Sequence, residues 1–229
     1  MAATTTAAAR MVKLLHNSKF ASFTIIAKGD YPAELNIPIP FSLISNDVSN
    51  DKLVVMPGYW FMYNMYALER NASKYLDRDR RTYRIQHLEY DYLAPDTINE
   101  LFTSINILQQ LQPDENGTAV VEGWENTQRI TEVLKVPQAL QTFKELIQYY
   151  GTLEILKLIQ LSKFSSFADL KKALSAKIQR TEWLNIGGQL MPEDAVKKLI
   201  YQVKKGQVKS WGELHDFYKA QGELYAADK

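Results

Sequence analysis

An α+β fold is what this sequence predicts, with a short β portion near the amino terminus followed by a mainly helical region. Two observations carry that expectation. Leu35, Ile37, Ile39, Phe41 and Leu43 fall on every second position, the period of a strand with one buried face. From Pro57 onward the apolar spacing becomes helical, and Pro, Ser and Thr stand where helices start. The expected organisation is a tail over 1–12, a β portion over 13–55 and a mainly helical domain over 56–229.

The opening run MAATTTAAAR has neither a packing pattern nor an apolar leader core, so it reads as a tail. Between Phe20 and Leu43 the chain reads as strand and turn, because Gly29-Asp30-Tyr31-Pro32 is turn chemistry between apolar runs. Pro38 and Pro40 lack amide hydrogens along one side of the alternating strand, which places it at a sheet margin or as an extended arm against a neighbouring surface. A polar turn over 46–52 leads to a short strand at Leu53-Val54-Val55. A helix follows from Pro57. The spacing then predicts an extended stretch from Arg81 to Leu93, where Tyr83 and Ile85 alternate on one phase and Leu88, Tyr90 and Tyr92 on the other. Thr97 and Glu100 are spaced as a capping box for the next helix. Further helices are predicted over 125–135, 137–150, 152–161, 166–180, 192–205 and 210–222, with Gly187-Gly188 as a turn.

Composition bounds the function class. The 229 residues include 27 Lys and Arg against 26 Asp and Glu, for a net charge of +1. Nucleic-acid binders carry a basic excess, so no nucleic-acid partner is expected. With 46% hydrophobic and 23% charged residues the composition is that of a globular chain. The absence of cysteine excludes disulfides, thiolate nucleophiles and Cys-ligated zinc, and fits a cytoplasmic location. No apolar run approaches the roughly 20 residues of a membrane span, so no membrane partner is expected. No Ser-His-Asp elbow, P-loop or HExxH pattern is present, no metal site is predicted, and no cofactor is indicated.

The stretch MPGYWFMYNMYALERN, residues 56–71, is the most aromatic in the chain. On a continuous helical wheel Phe61, Met65 and Leu68 share a core face, whereas Tyr59, Tyr63, Tyr66 and Arg70 share another that Lys74 and Arg81 prolong. One reading is a helix buried nearly all round. The sharper one is a ligand wall, where tyrosine faces stack on sugar or base rings and Arg70, Lys74, Arg78 or Arg81 meets a phosphate or carboxylate, with Asn71 alongside. His87, Glu89 and Asp91 alternate, so an extended strand would place all three on one face for acid-base work; a solvated polar face is the plainer reading. His16 is a further candidate in a polar loop. The candidate catalytic residues are His16, His87 and Glu89, and the candidate ligand contacts are Tyr59, Tyr63, Tyr66, Arg70, Asn71 and Lys74.

Four stretches together, HNSKFASFTIIAKGDYPAELNIPIPFSL, MPGYWFMYNMYALERN, QHLEYDYLAPDT and TEWLNIGGQL, resemble the carboxy-terminal part of a functionally uncharacterised bacterial domain family. In that family a left-handed parallel β-helix of hexapeptide-repeat type precedes a helical region. The resemblance runs from about Lys13 to near Tyr218 and implies that 13–55 are the last β-helix turns and exit strand. It implies that the chain is a fragment or a shortened relative, and a homo-oligomer through the β-helix. By fold-level analogy it points to nucleotide-sugar or acyl-donor ligands. The functional expectation is thus a transferase-like or nucleotide-sugar-related protein that binds an anionic sugar or nucleotide. The alternative is a non-catalytic carbohydrate-binding or assembly module packed on a β-helix.

Overall fold

The computed structural model describes residues 12–13, 15–82, 84, 86–162, 164–175 and 180–228. The expected tail over 1–12, apart from Val12, and the alternating Tyr83 and Ile85 lie outside the described residues.

Three short parallel pairs organise the start of the chain. β1 (Val12–Lys13), β2 (Lys19–Phe20) and β3 (Ile25–Ile26) pair respectively with β4 (Gly29–Asp30), β5 (Asn36–Ile37) and β6 (Leu43–Asp47). Partners stand 17, 17 and 18 residues apart, so the chain completes one circuit and lies back on itself. β6 then forms a hairpin with β7 (Lys52–Met56), and β8 (Ala119–Val121) and β9 (Ile130–Val133) complete a five-stranded sheet in the order β3-β6-β7-β9-β8. Residues beyond position 55 therefore extend the β portion.

The alternating run packs as its period requires: Leu35 and Ile37 are 1% exposed, and Ile39 and Phe41 are fully buried. It is not one strand, however. Phe41 adopts a positive φ of 58°, the chain corners there, and burial passes to Ile44 while Leu43 becomes half-buried. Pro38 and Pro40 occupy this corner between β5 and β6, where no ladder needs their missing N–H. Each fully buried aliphatic side chain contributes roughly 1.5–3 kcal/mol of burial.

The helices are α1 (Tyr59–Tyr63), α2 (Met65–Arg78), α3 (Pro95–Gln110), α4 (Val136–Leu161), α5 (Phe167–Leu174), α6 (Glu193–Lys204) and α7 (Trp211–Asp228), with a hairpin of β10 (Trp183–Ile186) and β11 (Gln189–Pro192) before α6. The architecture is α+β, a small sheet toward the amino end followed by helices.

Four expectations are corrected. The aromatic helix breaks at Asn64 (φ −141°, ψ 24°), which rotates the wheel: Trp60 and Leu68 are each 2% exposed, whereas Met65 is 59% exposed. Residues 125–135 are not a helix but carry β9, where Thr131 and Val133 are buried and Ile130 is exposed. The helices expected over 137–150 and 152–161 are one, continuous through Gly151. No strand forms among the described residues of 81–93. Carboxylates take the backbone donors there: Asp79 accepts from Arg81 N (3.1 Å), Glu89 from Tyr90 N and Asp91 N (3.0 and 2.9 Å), and Asp91 from Leu93 N (3.2 Å). Such local bonds compete with a ladder.

Candidate functional site

One face of α2 makes the wall of a hollow of about 950 Å³. Leu68, Asn71, Ala72, Tyr75 and Arg78 line it at steps of three, one, three and three residues, the repeat of a single helical face. The opposing walls come from the corner at Ser22 and Phe23, the segment 88–92, the first turn of α3 and the β10–β11 turn.

Each wall is pinned by a specific contact. The indole N–H of Trp60 donates to the Phe23 carbonyl (2.6 Å), and the Glu100 carboxyl accepts from Ser22 N (3.0 Å), tying the corner to α1 and α3. Sequence spacing assigns Glu100 to a capping box; instead Thr97 alone reaches back, accepting from Ala94 N (3.0 Å), and Glu100 turns to Ser22. Burial pushes the Glu100 carboxyl up to about 7. Gly187 and Gly188 have φ of 68° and 99°, the pairing a tight two-residue hairpin requires. A Cβ on Gly188 would sit 3.1 Å from a Leu88 methyl, so glycine allows the turn to touch the 88–92 wall, where Gly188 O accepts from Glu89 N (2.9 Å).

The electrostatics of the hollow are divided by element. Lys74, Arg78, Arg80 and Arg81 come from the end of α2 and the residues after it; Glu89, Asp91 and Asp96 come from the opposing wall. Asp79 receives a two-pronged bond from Arg81 (2.8 and 2.7 Å), and that guanidinium, with the Arg81 backbone N–H, holds its carboxyl well below the usual range. Among the described residues Lys74, Arg78 and Arg80 form no ion pair. Tyr75 stacks on Tyr90 with centroids 5.2 Å apart. The Tyr225 hydroxyl donates to Glu89, and burial, reinforced by that carboxylate, pushes the phenol up and keeps it a donor.

The sequence candidates divide into three groups. Asn71, Lys74 and Glu89 line the hollow, as do Arg78 and Arg81. Tyr59, Tyr63, Tyr66 and Arg70 do not: Tyr59 and Tyr63 rings lie 5.6 Å apart, and Arg70 lies 5.8 Å from an exposed Tyr66 ring on the outer side of α2. His16 is exposed on the amino-terminal circuit, where its charge helps lower the Glu34 carboxyl after Asn126 and the backbone. His87 packs against Tyr225 (4.8 Å) and lines a smaller neighbouring hollow. His87, Glu89 and Asp91 therefore do not share a strand face. Sequence reasoning missed Ser22, Phe23, Thr97 and Asn185, which reach the hollow only through long-range packing. Among the described residues no cluster of three or more His, Cys, Asp or Glu is placed to hold a metal ion, and no helix is long and apolar enough to cross a membrane.

An uncharacterised protein of Treponema pallidum (strain Nichols) is 34% identical to this chain over an alignment of 244 residues, which takes in 94% of this chain and 33% of that protein. The chain thus spans a third of the length of the relative it matches. No family model and no solved structure matches it.

Proposed function

We propose that the hollow beside α2 binds an anionic sugar or nucleotide, which makes this a transferase-like or nucleotide-sugar-related protein. The observation that carries the reading is the set of Lys74, Arg78 and Arg80, cations without ion-pair partners among the described residues, on the rim of a hollow of ligand size. Guanidinium groups take phosphate or carboxylate oxygens two at a time, and Asn71, Asn185 and the carboxylate of Asp91 suit sugar hydroxyls. Phe23, Leu68 and Tyr75 supply apolar surface for a ring. Replacing both arginines (R78A/R80A) is expected to weaken binding of a sugar phosphate or mononucleotide, read by calorimetry, at least about tenfold, since each charged hydrogen bond is worth about 1.5–3 kcal/mol. Unchanged affinity would refute the reading.

The amino-terminal circuit belongs to the same proposal as the last turn of a hexapeptide-type β-helix, through which copies would associate. Its support is the recurrence of three parallel pairings at offsets of 17 to 18 residues, three sides of about six residues each. The alternative, a carbohydrate-binding or assembly module, is favoured by one observation: Tyr63, Met65 and Tyr66 are 58%, 59% and 78% exposed on the outer side of the aromatic helices. Under that alternative Y63A/Y66A, rather than R78A/R80A, abolishes binding.

A further inference from the structure

A second hollow of about 520 Å³ adjoins the first, and the two share Tyr75, Asp79, Arg81, Leu88 and Tyr90 in their walls. The shared residues form a partition. It consists of a stacked tyrosine pair, Leu88 and the two-pronged Arg81–Asp79 ion pair, and Arg84, which lines only the second hollow, also approaches Asp79 (4.0 Å). Asp79 and Arg81 cancel in charge, so Arg84 gives the second hollow's side of the partition a net positive charge. Beyond it the second hollow adds His87, Lys219 and Glu223, with Arg84 two-thirds exposed and Lys219 no nearer than 4.0 Å to Glu223. Each hollow is within the size range of a small-molecule site, which spans about 300–1,000 Å³.

Resting on the reading of the first hollow as an anionic-ligand site, we infer that the ligand is two-headed: two ring groups joined by a diphosphate, one ring in each hollow and the linker across the partition at Arg81, with Arg84 beyond it. Chemistry and position agree. A diphosphate carries charge in the middle of the molecule, and guanidinium groups flank the partition on both sides, Arg78 and Arg80 in the first hollow and Arg84 in the second, with Arg81 between them. A sugar monophosphate would leave the second hollow empty. Gly222 keeps the far wall close, since a Cβ there would lie 3.1 Å from His87 Cβ.

The test compares the wild-type chain with R84A/K219A by calorimetry, using UDP-glucose, ADP-glucose and GDP-mannose beside their nucleoside monophosphate and sugar 1-phosphate halves. Both replaced side chains are exposed, so circular dichroism and Tm should not change. The inference predicts that at least one intact diphosphate binds about a hundredfold more tightly than either half, the gain that joining two weakly held groups provides. R84A/K219A should erase most of that gain and weaken the tighter-binding half far less than the intact diphosphate. If a half binds as tightly as its parent and the variant changes neither, the ligand is confined to the first hollow: the two-headed inference fails while the first reading stands. If neither halves nor intact diphosphates bind, the first reading fails and takes this inference with it.

Discussion

Glu125→Ala is expected to lower the unfolding free energy by about 3 kcal/mol, the lower end of the cost of breaking a buried ion pair, because the Arg129 guanidinium keeps only the exposed Asp51 carboxylate at 3.8 Å. Glu125 is 4% exposed and accepts two bonds from the Arg129 guanidinium, itself only 9% exposed at the side chain. Arg129 also donates to Asn46 Oδ1 (2.7 Å), and Asn46 donates to Asp30 O (2.6 Å), so one chain of bonds ties the segment just before β9 to β6 and β4. The neighbouring backbone closes the side of the circuit: Asn36 N–H donates to Trp124 O (2.8 Å) and Asn126 N–H to Glu34 O (2.9 Å). In a chain of this size the loss corresponds to a fall in Tm of roughly 10 °C. Removing both charges (E125A/R129M) should cost less than E125A alone, because no buried guanidinium is then left with only the exposed Asp51 as its counter-charge. Equal or larger destabilisation by the double replacement would contradict this account.

Glu100→Gln should remove a pH dependence of stability. The folded state raises this carboxyl from 4.5 to about 7 by burial, with Asp96 one turn away adding to the effect and Ser22 N–H opposing it. A carboxyl raised on folding favours the protonated form, so its contribution is fully present below the unfolded pKa and is lost as pH rises through the folded one. The window is pH 4.5 to about 7, and the full difference is about 3 kcal/mol. Wild type is therefore expected to lose stability across that window. E100Q, neutral at every pH and still able to accept from Ser22 N–H, should lose less and exceed wild type at pH 8. Urea titrations at pH 5 and pH 8 check this; parallel pH dependence in the two proteins would contradict it.

How much was legible in the sequence depends on the range of the forces involved. The alternation at Leu35, Ile37, Ile39 and Phe41 is local, and it reported burial correctly until the positive φ at Phe41 shifted the phase. The helix starts at Pro137, Ser166 and Ser210 were equally local; Ser166 Oγ accepts from Asp169 N (3.2 Å) and Ser210 Oγ from Glu213 N (3.2 Å). The break at Asn64 was not legible, because a wheel presumes an unbroken helix, and it moved the tyrosines from the site to the outer surface. The β-branched run Ile130-Thr131 with Val133 was a strand signal that helical spacing obscured. Within the site, Asn71, Lys74, Arg78 and Arg81 could be named from one helix and its continuation. Ser22, Thr97 and Asn185 could not, because no periodicity links residues so far apart in the chain.

Ala72→Trp tests the binding account most directly, since Ala72 lies on the hollow-facing side of α2 and an indole there would occupy the space assigned to the ligand. The account predicts that calorimetric binding of sugar phosphates, mononucleotides and nucleoside diphosphate sugars is lost while Tm stays near that of wild type. Binding of the same compound with an unchanged Kd in the Trp variant would show that the hollow is not where the ligand sits.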